Sequence, residues 1–195
     1  MRLGLFSHRR PDKDKRHPSR AKLVFAFGKF KRDQKGVTAI EFAAVGIPFF
    51  MLLFGLIEFG LAFFVNQALD HATLQSARLI RTGQAKSFSK EQFQSDLCDN
   101  LSVLCVNTRI AIDARAFDSF SELANANSMP PMVDSDGKST GTESFTVGKP
   151  SSIMVVRVLY RWPMFTSFTR TDSGDTGNME RLLYSTVVFR NEPYI

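Results

Sequence analysis

Two acidic side chains interrupt a long apolar run in this sequence: Glu41 and Glu58 are the charged residues between Val37 and Val65. A carboxylate in such surroundings is costly unless it meets a cation, a set of donors or water, so each marks a place where a partner is needed. Cys98 and Cys105 are the two cysteines. They form a disulfide if this part of the chain lies in an oxidising compartment, and are two buried thiols if it does not. A bridge over so short a loop contributes about 2–3 kcal/mol in the chain-entropy account. No C-x-x-C or nearby His completes a metal site. Nucleophilic catalysis finds little material. Of the three His, His8 and His17 lie near the N-terminus, leaving His71 as the single candidate base elsewhere. Neither G-x-S-x-G nor H-E-x-x-H occurs. Gly137-Lys138-Ser139-Thr140 looks like the end of a phosphate-binding loop, but Met132 stands where its first glycine belongs. Asp134-x-Asp136-Gly137 lacks the other ligands of a calcium loop, and it reads as a solvated turn, as do Asp172, Gly174 and Asp175. The expectation is no catalytic residue, no metal and no cofactor, and therefore not an enzyme. A membrane-anchored enzyme is the weakest of three functional readings.

The elements that carry these residues begin with a charge step. Residues 1–36 hold 12 Lys+Arg against 3 Asp+Glu, and the remainder holds 13 against 16. A basic arm binds nucleic-acid phosphates without sequence preference. Here it abuts the apolar run, and a membrane accounts for both features, with the basic flank on the cytoplasmic side. Nucleic acid is not an expected partner; membrane lipid is. Phe42 to Ile57 has no charge. Val37 to Glu58 is 21 steps, about 32 Å of helix, which matches a hydrocarbon layer of about 30 Å and sets Glu41 and Glu58 near its two faces. The run is too long for a cleaved signal core and no convincing A-x-A site follows it. Pro48 lies inside and predicts a kink, which bilayer helices tolerate. Glu58 is expected to face headgroups and water, with a basic group on a partner helix as the alternative.

The stretch Lys35-Gly36-Val37-Thr38-Ala39-Ile40-Glu41-Phe42 joins the two parts. It resembles the type IV prepilin processing site, where a membrane-embedded aspartic peptidase cuts after the glycine. The resemblance implies a cut between Gly36 and Val37. Such a cut would free an ammonium on Val37, with Glu41 one helical turn away on the same face. Glu41 would pair with its own chain's amine or, as the pilin resemblance implies, with a neighbouring subunit's. Without a cut it snorkels to the headgroups. The longer run Gly36 to Pro48, with its Glu41-Phe42-Ala43 triplet, resembles the opening of the TadE family, pseudopilins of the tight-adherence (Flp pilus) system. Leu56-Ile57-Glu58-Phe59-Gly60 matches the family's second half, and Val188 to Tyr194 resembles its C-termini less specifically. A leader of 36 residues is long for this class.

Beyond Val65 helical spacing persists through Ala68, Leu69, Ala72, Leu79 and Ile80, broken by Ser76. Arg78 and Arg81 suit a helix C-terminus and Gly83 caps it. Ser89 to Gln92 reads as a capping box opening a helix with Phe93, Leu97 and Leu101 on one face. Arg109–Phe117, Ser152–Arg161 and Arg181–Arg190 read as strands, the first strictly alternating, separated by polar stretches over 125–148 and 169–177. Core candidates are Phe117, Phe120, Val156, Val158, Tyr160, Val187 and Phe189. The expected fold is α+β and pilin-like: a long N-terminal transmembrane helix running into a small exported domain with an antiparallel sheet. The expected organisation is 1–36 as a basic cytoplasmic leader, 37–65 as the transmembrane helix and 66–195 as a periplasmic domain.

The leading functional expectation is a minor pilin-like subunit of a Flp-type pilus or tight-adherence secretion machine, held in the inner membrane with its N-terminus cytoplasmic. Its partners would be a prepilin peptidase, other pseudopilins and the inner-membrane platform. Ala39, Ala43, Ala44 and Gly46 would let neighbouring helices approach closely. The rival is an unprocessed bitopic adaptor whose periplasmic domain binds another envelope protein, its basic arm resting on anionic lipid.

Overall fold

The computed structural model describes residues 36–125, 128–169 and 179–193. The basic arm up to Lys35, most of the polar stretch over 169–177, and Tyr194 lie outside them.

A single helix, α1, spans Val37–Arg81, and continues on both sides of Pro48. Its C-terminus follows the sequence reading. Arg78 and Arg81 occupy the last turn. Gly83 adopts φ 76° and donates to Ile80 O at 3.0 Å, a left-handed cap that glycine takes without a Cβ clash. The chain divides within α1, one compact unit ending at Phe49 and the other starting at Phe50. In the first unit the helix surface is open: Ile40, Phe42, Val45 and Ile47 are all exposed.

In the second unit α1 supplies one wall of the core. Helix α2 (Lys90–Leu101) starts with the expected capping box, Ser89 N donating to Gln92 Oε1 at 2.8 Å and Gln92 N to Ser89 Oγ at 3.3 Å. Strands β1 (Ile110–Phe117), β2 (Ile153–Pro163) and β3 (Glu180–Arg190) form an antiparallel sheet in sequence order, with Ala114 opposite Val156 and Val156 opposite Val187. A one-turn helix, α3 (Phe120–Leu123), follows β1. Val65, Leu69, Ala72 and Ile80 of α1 pack with Phe93, Leu97 and Leu101 of α2 against Ile112, Val156, Val158 and Tyr160 of the sheet. Removing this much apolar surface from water is the main source of stability. Ser76 does not break the α1 stripe; it is buried on the core face along with Thr73, whose hydroxyl donates to Leu69 O at 2.7 Å.

The other face of the sheet departs from expectation. Strict alternation in β1 predicts Asp113 in solvent, yet it is fully buried. The segment between α3 and β2 folds back over this face. Arg157 Nη2 donates to Pro130 O within it at 2.8 Å; further on, Phe145 bridges Ala114 along the free edge of β1 and packs on Phe93 on the helix side, ring centroids 5.5 Å apart. Asp113 accepts from Arg157 Nη2 at 2.6 Å, Arg115 Nε at 2.9 Å and Ser144 N at 2.8 Å. The two arginines are its neighbours by rule: Arg115 is two residues along the same strand face and Arg157 is the cross-strand partner. Gly148 closes the returning segment at φ +68°, where an added Cβ would sit 2.5 Å from Ser152 Oγ and 2.6 Å from Met154 Sδ. Phe120 is not a core residue; at the start of α3 it is 69% exposed, while Phe117 is buried.

Candidate functional site: the apolar helix and the Glu58 cradle

Two places on α1 hold the acidic residues. At the start, Gly36, itself in a 3-10 turn, precedes the first α-helical residue, Val37, and Glu41 follows one turn later. Glu41 and Phe42 are both exposed, and among the described residues Glu41 has no hydrogen-bond or ion-pair partner. Ala39, Ala43 and Ala44 are exposed and Gly46 is half-buried. Among the described residues, a Cβ at Gly46 would meet the Phe42 ring alone, at 3.8 Å. Ala39, Ala43 and Gly46 recur at steps of four and three, so they share a helix face on which another helix can come close.

Glu58 is different, and here the sequence expectation is corrected. It does not face headgroups and water: it is 3% exposed. The turn leaving β2 lies over it and donates to it repeatedly. Phe165 N reaches Oε1 at 3.0 Å, Thr166 N reaches Oε2 at 3.2 Å, and Thr169 Oγ1 reaches Oε2 at 3.0 Å, joined by the Thr166 hydroxyl. Four donors around one carboxylate replace the water that burial removes. Gly55, one turn earlier, makes room for the same turn: its missing Cβ would stand 3.5 Å from the Phe168 ring. Arg181 of β3 completes the arrangement, with its guanidinium 4.6 Å from the Phe59 ring centroid and donating to Thr169 O at 3.0 Å. The partners of Glu58 lie 107 to 111 residues away in sequence, which is why no local spacing announces them.

Cys98 and Cys105 are disulfide-bonded, with Cα atoms 5.2 Å apart, inside the usual range for a bridge. The bridge closes the turn after α2, and Tyr160 OH donates to Leu104 O within it at 2.7 Å, tying β2 to the same loop. Burial raises the Tyr160 phenol above its ordinary value. Asp134 accepts from the backbone of Asp136 and Lys138, both at 2.9 Å, as a local turn does. Among the described residues no cluster of three or more His, Cys, Asp or Glu could hold a metal ion.

These features define a class: an α+β protein whose long N-terminal helix is apolar enough to cross a membrane and continues into a small sheet domain. The model of the TadE-like protein family matches residues 36–78. The match spans both Glu41 and Glu58 and opens on Gly36. Neither a curated protein nor a solved structure matches the chain.

Proposed function

We propose that this chain is a minor pilin-like subunit, a pseudopilin, for assembly of a Flp-type pilus or tight-adherence machine. A prepilin peptidase trims it between Gly36 and Val37, and α1 then anchors it in the inner membrane with the sheet domain in the periplasm. The observation that carries this reading is the order of features at the start of α1. The TadE-like match opens on Gly36, the α-helix is assigned from Val37, and an exposed carboxylate, Glu41, follows one turn later. A new ammonium at Val37 offers the charge that a carboxylate near lipid needs, on its own chain or on a neighbour. The bonded cysteines support an oxidising compartment for the sheet domain. The protein is a structural subunit and carries no reaction of its own.

The test is the mass of the N-terminal peptide from the membrane form, made in cells with and without the peptidase. A chain beginning at Val37 only when the peptidase is present supports the proposal, and Gly36→Leu blocks the trimming. A chain that keeps its basic arm in both cells supports the unprocessed adaptor instead.

A further inference from the structure

We propose that the turn after β2 is a lipid-contacting surface, with Phe165 and Phe168 seated at the boundary between headgroups and acyl chains beside α1. The inference rests on the membrane reading above and names where the sheet domain touches the bilayer. Phe165 is 68% exposed and Phe168 47% exposed. Two large apolar side chains three residues apart, left open on a turn, mark a contact surface. Their position is fixed from the helix side. Glu58 binds the turn through Phe165 N, Thr166 and Thr169, and the Phe168 ring lies over Gly55. Gly55 and Glu58 are 18 and 21 steps from Val37, about 27 and 32 Å of helix, which is where a hydrocarbon layer of about 30 Å ends.

Phe54, Ile57 and Phe59 of the same helical turns are exposed as well, so α1 presents apolar surface at the level where the turn is held. The polar groups are arranged for such a place. A backbone entering the interfacial layer needs its N–H groups satisfied, and Glu58 takes those of Phe165 and Thr166. Arg181 holds its charge over Phe59 and against Thr169 O, where a cation favours anionic headgroups. A second copy of the chain is the competing occupant. Lipid is favoured because α1 itself holds the turn beside the bilayer at every protein concentration.

Tryptophan quenching in vesicles tests this. The full chain carrying Trp162→Phe, which removes the single native tryptophan, receives Phe165→Trp, Phe120→Trp or Phe50→Trp. Each is reconstituted in phosphatidylcholine–phosphatidylglycerol vesicles containing acyl-brominated lipid. The proposal expects Phe165→Trp to be quenched at least twofold more than Phe120→Trp, and more by bromine near the carbonyls than near the chain ends. Phe168→Trp gives the same reading should Phe165→Trp not fold. If neither turn position is quenched above Phe120→Trp while Phe50→Trp is quenched, the bilayer reading stands and this proposal falls. If Phe50→Trp is itself unquenched, the membrane reading falls and takes the proposal with it. A blue shift at the turn that grows with protein concentration, without quenching, assigns the surface to a second copy and overturns lipid as the occupant.

Discussion

Glu41 and Glu58 are the same residue type on one helix, and they have opposite surroundings. Glu58 is buried beneath four donors from its own chain. Glu41 is exposed, with no partner among the described residues. The physical demand on both is alike, since a carboxylate near lipid must be compensated. The fold meets it for Glu58 by bringing in a turn from more than 100 residues away, and for Glu41 it leaves the demand to something outside the domain. On the proposed function, the difference separates a residue that serves the fold from one that serves assembly. Substitution at Glu58 should therefore be read in stability, and substitution at Glu41 in association.

The largest stability effect is expected away from both, at the buried ion cluster, which sets the scale. Asp113→Ala leaves Arg157 and Arg115 facing each other without their anion and should cost about 3–5 kcal/mol, visible as thermal unfolding of the full chain in detergent or as loss of soluble expression. Glu58→Ala comes next. It strands the buried donors of Phe165 and Thr166 and should cost about 2–3 kcal/mol, with protease cutting appearing first in the turn after β2. An unfolding midpoint equal to the parent's would break the comparison, because Glu58 would then be serving no fold. Cys98→Ser should cost about 2–3 kcal/mol in the chain-entropy account, and reductant should raise the parent's mass by the two hydrogens of one bridge. The smallest effect sharpens the control. The Ser89 hydroxyl, with the backbone N–H of Glu91, holds the exposed Glu91 carboxyl below its ordinary 4.5. A depressed acid contributes stability that is present above its unfolded value and is lost as the pH falls through its folded one. Glu91→Gln removes that contribution, so it should lower the unfolding midpoint slightly at neutral pH, leave it unchanged well below pH 4.5, and so flatten the fall between them.

Much of this fold is readable residue by residue, and the failures have one cause. The α1 stripe, the Ser89–Gln92 capping box, the Gly83 cap and the three strands are local patterns, and the structure has all of them. The burial of Asp113 and Glu58 is not legible locally, because it is decided by distant segments. One is covered by the chain returning through Ser144 and the other by the turn through Phe165. Polar composition made both covering segments look like plain loops, and their backbone donors are what they supply. Phe120 departs the other way: an apolar side chain near a strand end reads as core, and α3 turns it outward. The processing reading of Gly36 and Val37 rests on resemblance alone, and the mass of the mature N-terminal peptide tests it.

The account turns most directly on one measurement: recovery of the assembled pilus machine with the full-length Glu41→Ala variant, expressed in place of the parent and checked for an unchanged unfolding midpoint. The account predicts a chain that is folded, membrane-bound and trimmed at Gly36, yet recovered with its partners at least tenfold less well. Parental recovery of the machine with Glu41→Ala would contradict it.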